Sequence, residues 1–379
     1  MWRKLVTLMR LDGPGAKPNP LKARPVPDSS PLAEAAFEPN PGNLRMFQYL
    51  PEGLMPGAPL VVILHGCGQT AAGYDLGAGW CQLADELGFA VLAAEQKAVN
   101  NPHTCFDWFN PEDITRDSGE AASIATMVRS MVEMHSLDKG RVFITGLSAG
   151  GAMTSVMLAT YPELFAGGAI IAGLPYGAAQ NVRDALESMR SAPLRLPAQW
   201  GDLVRAVSGH QGPWPRISIW YGALDTTVNI NNAQALLAQW VDLHGLSLTA
   251  ARQELADGAV RLNWGDALEL YTLAALGHGT PIDSRDVGQQ GPFILEAGIS
   301  SSRRIAQFWG LEQSLTRPVA KAGPARSFPT KAETESLALP EIEAALLLEK
   351  SDGTAKVSMA LNAENLIWRA LKAVGLIRR

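Results

Sequence analysis

Between residues 43 and 311 the chain alternates short apolar runs with stretches in which apolar residues return every three or four positions. The runs at 46–50, 59–64, 89–94, 141–145, 168–172, 217–221 and 268–274 read as strands. Their near-continuous apolar character predicts burial on both faces of a sheet. The helical spacing covers 74–87, 120–135, 149–160, 232–243 and 300–309, which puts helices in the crossovers that parallel strands require. Strand followed by helix, repeated, predicts an α/β fold with a mostly parallel central sheet and helices on both faces. Segment 175–215 breaks the rhythm, and it is long enough to be a cap or lid around a site at the strand ends.

The two ends read differently. Residues 12–43 are dense in Pro, Gly, Ser and Ala without sustained periodicity, the pattern of an arm over the surface. A second such stretch runs over 317–340. Beyond it, Leu361, Leu366, Leu371 and Leu376 belong to an apolar series at helical spacing, which predicts short amphipathic helices that need a surface to lie on. The expected organisation is a flexible arm at 1–42, one folded domain at 43–312, and a linker with a helical extension at 313–379.

Composition narrows the reading. Hydrophobic residues make up 47% of the 379 and charged residues only 18%, ample material for a core and too little charge for a disordered chain. The net charge of −5 leaves no basic excess to neutralise phosphates, so nucleic acid is not an expected partner. The apolar runs are broken well short of the roughly 20 residues a spanning helix needs. Near the start only residues 5–9 form an apolar stretch before Arg10, shorter than the roughly 7 to 15 residues of a secretory signal core. That points to the cytoplasm. Cys67, Cys81 and Cys105 are odd in number and lack a CxxC spacing, and the histidines are scattered without metal-ligand spacing, so neither a disulfide scaffold nor a zinc site is expected.

The chemistry concentrates at three strand ends. Gly146-Leu147-Ser148-Ala149-Gly150 follows the strand at 141–145 and opens the helix at 149–160. A nucleophile on so tight a strand-to-helix turn needs small neighbours, because side chains on either side would collide. Serine also needs a base, and the base needs a carboxylate to hold it. Asp225 follows the strand at 217–221, and His278 follows the strand at 268–274 between two glycines. Serine, then aspartate, then histidine, each just past a strand end, is the α/β-hydrolase order. Two amides are candidates for the oxyanion: that of Ala149, after the nucleophile, and that of Cys67, in the loop His65-Gly66-Cys67-Gly68-Gln69 after the strand at 59–64. His65 is expected to orient this loop rather than to react.

These residues carry a resemblance. His65-Gly66-Cys67-x-Gln69, Glu95-Gln96, Cys105-Phe106-Asp107-Trp108-Phe109, Gly146-Leu147-Ser148-Ala149-Gly150-Gly151, Gly277-His278-Gly279-Thr280-Pro281 and Ala297-Gly298-Ile299-Ser300-Ser301-Ser302 together resemble the poly(3-hydroxybutyrate) depolymerase-type esterases, relatives of bacterial feruloyl and acetylxylan esterases. The resemblance covers roughly 43–311. It implies an α/β-hydrolase fold with its catalytic domain at 43–312, hydrolysis of carboxylic esters through an acyl-serine, and no cofactor. It also suggests that Cys67 and Cys105 lie near each other and could be linked. Many relatives carry a secretory signal, which makes an extracellular location the alternative to the cytoplasm.

The expected site is therefore Ser148, Asp225 and His278, with Cys67 and Ala149 amides for the oxyanion and no metal. Gln69, Trp108, Phe109 and Trp214 are the candidates for contact with an ester substrate, a hydroxyalkanoate oligomer or polymer or a short-chain or phenolic-acid ester. The same triad would serve a prolyl oligopeptidase-like peptidase, and a hydrolase scaffold can also be a non-catalytic binding protein. Oligomeric state is not legible.

Overall fold

The computed structural model describes residues 29–312. Its strands are β1 (Ala33–Ala35), β2 (Arg45–Tyr49), β3 (Leu60–Leu64), β4 (Ala90–Glu95), β5 (Val142–Leu147), β6 (Gly167–Ile171), β7 (Arg216–Gly222), β8 (Arg252–Ala256), β9 (Ala259–Trp264), β10 (Leu268–Leu273), β11 (Thr280–Ile282) and β12 (Ile294–Glu296). The first ten form one sheet in the order β1-β2-β4-β3-β5-β6-β7-β10-β9-β8, and β11 pairs with β12. From β4 through β10 the pairing is parallel. Antiparallel strands close both edges, β1 and β2 on one side and the β8–β9 hairpin on the other.

The helices are α1 (Ala71–Ala78), α2 (Trp80–Leu87), α3 (Pro111–Ile114), α4 (Gly119–Met134), α5 (Ala149–Thr160), α6 (Val182–Arg190), α7 (Pro197–Ser208), α8 (Asn231–Leu243) and α9 (Ser301–Trp309). Because side chains alternate across a strand, β3 sends Leu60, Val62 and Leu64 into one core and Val61 and Ile63 into the other. The first core holds Ile124 of α4, Met153 of α5 and Leu237 of α8; the second holds Tyr74 of α1, Leu83 of α2 and Trp309 of α9. Covering both faces is what makes the strands read as unbroken apolar runs. Among the described residues no helix is long and apolar enough to cross a membrane.

Several expectations give way to tertiary contacts. The arm expected at 1–42 is part of the body from Ala33, where β1 pairs with β2, and the Gly42 amide donates to the buried Ser123 hydroxyl. Position 42 must be glycine, because a Cβ there would lie 2.5 Å from the Glu120 Cα. The rest of the arm, 1–28, and the extension at 313–379 lie outside the described residues. The single helix expected over 74–87 is two helices broken at Gly79, whose φ of 75° lets the chain pass Val287 and Gly288. The β8–β9 hairpin was not foreseen, although Asp257-Gly258, at φ 47° and 81°, is the tight-turn pair that such a hairpin demands. Segment 175–215 folds into α6 and α7. Trp200 of α7 is buried, and the Gln239 side chain of α8 bonds the backbone of Tyr176 and Trp200, so α7 joins the helical layer. α6 borders the strand ends, where the Met189 carbonyl accepts from Asn229 in the loop after Asp225.

Candidate active site

Ser148 sits between β5 and α5 with φ 57° and ψ −116°, a conformation that costs a non-glycine residue about 1–3 kcal/mol and is retained where surrounding structure enforces it. The enforcement is visible in the glycines. A Cβ on Gly146 would lie 2.4 Å from the Gly150 carbonyl oxygen, and one on Gly150 would lie 2.3 Å from that of Leu64. The small residues thus let the elbow close on itself and on the end of β3. The Ser148 amide donates to the Ile171 carbonyl of β6, which fixes the turn against the neighbouring strand.

From this elbow a chain of hydrogen bonds runs inward. Ser148 Oγ lies 2.9 Å from His278 Nε2, and His278 Nδ1 lies 2.7 Å from Asp225 Oδ2. Asp225 Oδ1 accepts from the amides of Thr227 and Val228, both at 2.8 Å. With one oxygen held by two amides and its side chain wholly buried, the carboxylate can face the imidazole in only one way. The loops that carry Asp225 and His278 are tied together: Leu224 N–H donates to the Leu276 carbonyl, and a Cβ on Gly222 would lie 2.2 Å from that same oxygen. The Tyr221 hydroxyl donates to the Gly173 carbonyl, and its burial beside Asp225 pushes its titration well above the usual phenol range.

The loop after β3 lies directly against the elbow. Gly66 N–H donates to Gln69 Oε1, Gln69 N–H to the Gly66 carbonyl, and Gly68 N–H to the His103 carbonyl. Among the described residues the Cys67 amide has no acceptor, and the Ala149 amide, in the first turn of α5, has none within its helix by geometry. Cys67 and Cys105 are joined as a disulfide across 38 residues, while Cys81 is a buried free thiol. The arrangement offers a hydroxyl on a base and two amide donors nearby, a set suited to acyl transfer.

The four expected substrate contacts fare unequally. Gln69 uses both ends of its amide on the backbone, accepting from Gly66 and donating to the Pro292 carbonyl at 2.7 Å, so it braces two loops. Trp108 is buried against Phe109, with ring centroids 5.4 Å apart, next to the disulfide loop at the strand-end side. Trp214 is not at the site. It precedes β7, whose seven residues span about 20 Å before Asp225 is reached, and it packs on His210 and Trp240 at the other end. Segment length alone had suggested a lid there. Phe293 was missed: its ring stands edge-on to His278 at 5.8 Å, 45% exposed, with φ 60°. Its only sequence signal is the turn dipeptide Gly291-Pro292 before it.

Of the other histidines, His135 and His244 cap the ends of α4 and α8. One acidic group, Asp107, Asp113 and Glu120, brings carboxylate oxygens within 4.8 Å of one another. Amides of this chain already engage it: Asn101 donates to Asp107, Asn110 to Asp113, and both Gln96 and the Asp107 N–H to Glu120.

The sequence profile described as Esterase PHB depolymerase matches residues 44–263. Poly(3-hydroxyalkanoate) depolymerase C of Paucimonas lemoignei is 44% identical over 285 residues, 73% of this chain and 69% of that one. An acetylxylan esterase of Coprinopsis cinerea is 34% identical, over 66% of this chain and 70% of its own. Among solved structures, the acetyl xylan esterase from Aspergillus awamori superposes with a TM-score of 0.64 at 26% identity, covering 74% of this chain and 99% of that one.

Proposed function

Because the chain belongs to the Esterase PHB depolymerase family and is a carboxylic ester hydrolase, we propose that Ser148, His278 and Asp225 carry out the reaction through an acyl-serine. Ser148 Oγ attacks the ester carbonyl carbon while His278 Nε2 takes its proton. The oxyanion so formed is held by the amides of Cys67 and Ala149. Collapse breaks the bond to the alcohol oxygen, which leaves with the proton from His278. Water then attacks the acyl-serine by the same route, releasing the acid and restoring the hydroxyl. Asp225 holds the imidazole in the tautomer that presents Nε2 to the serine. The observation that carries this reading is the unbroken hydrogen-bond chain from Asp225 to the strained Ser148.

The alcohol must emerge beside His278, since that ring protonates it. Phe293 is the exposed aromatic at that place, which makes it the wall for the alcohol part of the ester. Relatives named for poly(3-hydroxyalkanoate), acetylxylan and feruloyl esters support hydroxyalkanoate oligomers and short-chain or phenolic-acid esters as the substrate range, and the family favours esters over peptides. The Cys67–Cys105 disulfide supports an oxidising compartment, the alternative to the cytoplasm. The test is a panel of short p-nitrophenyl esters, hydroxybutyrate oligomers, methyl ferulate and acetylated xylan, together with fluorophosphonate labelling. Labelling that persists in Ser148→Ala would remove Ser148 from the role.

A further inference from the structure

Ser148 and Asp225 are joined by a second route that does not pass through His278. It runs through the short segment from Ile171 to Gly173 at the end of β6. The first carbonyl of that segment, Ile171, accepts from the Ser148 amide at 2.9 Å. Its middle amide, Ala172, donates to the Trp220 carbonyl at 2.9 Å. Its last carbonyl, Gly173, accepts from the Tyr221 hydroxyl and, among the described residues, from nothing else. Trp220 and Tyr221 lie in β7 shortly before Asp225. The strand that delivers the acid therefore grips the segment at two successive residues, and the segment grips the nucleophile.

The segment lies backbone to backbone on the first turn of α5. A Cβ on Gly173 would lie 2.6 Å from the Gly151 carbonyl carbon and 2.9 Å from the Ala152 nitrogen, and one on Gly151 would lie 2.9 Å from the Ile171 oxygen. Ala172 turns at φ 46°, a left-handed conformation that an alanine keeps only where its surroundings impose it. Tyr221 is fully buried in the first core, so no water competes for its hydroxyl. We propose that Tyr221 is a positioning residue: its hydroxyl locks the turn from Ile171 to Gly173 against α5 and so holds Ser148 in its strained conformation, at a fixed place relative to Asp225. The inference rests on the roles given above to Ser148 and Asp225. Without the hydroxyl a buried carbonyl loses its partner, Ala172 is free to relax, and the Ile171 carbonyl is drawn away from the Ser148 amide. The serine oxygen then moves, and a displacement of about 1 Å can cost on the order of 10²-fold in rate.

Tyr221→Phe removes the hydroxyl and keeps the ring. The expected result is that kcat and the rate of fluorophosphonate labelling at Ser148 fall together by roughly 10- to 100-fold, with KM little changed. The pH midpoint of the rate should stay at its wild-type value, because the bond between His278 and Asp225 is untouched. Ser188→Ala is the control: it deletes another buried hydroxyl-to-carbonyl bond, to Ala178 at 2.8 Å, and should lower the melting temperature without slowing the labelling. A lower melting temperature with unchanged labelling in Tyr221→Phe would overturn the proposal, and so would equal slowing in the two variants. A shifted pH midpoint would also overturn it, since the hydroxyl would then act on the charge of Asp225 beside it. If Tyr221→Phe does not fold, hydrogen exchange in the wild type decides. The Ser148 and Ala172 amides should exchange as slowly as those of β5, and exchange at the rate of an exposed loop would sink the lock. A wild-type enzyme that fluorophosphonate does not label at Ser148 would instead overturn the parent reading, which the exchange measurement does not touch.

Discussion

Ser148 shows how much of the site is decided by single residues. Its side chain contributes little packing, and its backbone is held by Gly146, Gly150 and the Ile171 carbonyl rather than by its own hydroxyl. Ser148→Ala should therefore abolish turnover while the melting temperature stays near that of the wild type; retention of more than a few per cent of activity in a purified sample would exclude the serine. Asp225→Asn keeps the shape but exchanges an acceptor for a donor toward His278, and kcat should fall on the order of 10⁴-fold, as in a serine protease triad. Phe293 tests the other side of the pocket. With the acid held constant as acetate, Phe293→Ala should lower kcat/KM for benzyl and naphthyl esters by about tenfold, the scale of losing one apolar contact surface, and leave the methyl ester unchanged. An equal loss for all alcohols would mean that the ring supports His278 instead.

At the scale of elements, the loop after β3 works as one piece. It is anchored by the turn from Gly66 to Gln69, by Gly68 N–H on the His103 carbonyl, and by the covalent bond to Cys105. The Gln69 side chain links it to the Pro292 carbonyl, and so to the segment that carries Phe293. Cys105→Ser leaves the local hydrogen bonds in place and removes only the covalent anchor. It should lower kcat by about tenfold, short of losing a whole oxyanion donor, and the wild type treated with a reductant should match it. If only the melting temperature drops, the disulfide staples the fold and does not tune the site.

At the scale of the whole molecule, the burial of Glu120 makes stability depend on pH. Its titration is raised well above the ordinary carboxylate value, first by burial and then by the neighbouring Asp113 and Asp107. The folded state thus favours the proton. A raised acid contributes stability below its unfolded value, and that contribution is lost as pH climbs toward the folded one. Glu120→Gln has no charge to bury, so its melting temperature should gain on the wild type between pH 5 and pH 8. If the wild type gains instead over that range, Glu120 is stabilised as a carboxylate and its burial is compensated.

What the sequence by itself determined is what depends on neighbours along the chain. The periodicity of β3 to β7 and of α4, α5 and α8 is local, and so is part of the glycine pattern around Ser148, where Gly146 crowds against Gly150 within five residues. Asp225 and His278 were legible because a parallel sheet delivers every strand end to one edge, so position after a strand translates into position in the site. Tertiary structure decided what depends on approach between distant segments. Gly79 could have continued a helix, and only its passage against Gly288 broke it. Trp214 was misplaced because the length of segment 175–215 suggests a lid over the strand ends, whereas α7 packs against α8 instead, and Phe293 was missed because its nearness to His278 follows from the pairing of β11 with β12. The bond from Tyr221 to Gly173 belongs to the same class: its partners are 48 residues apart, a pairing that no spacing along the chain encodes.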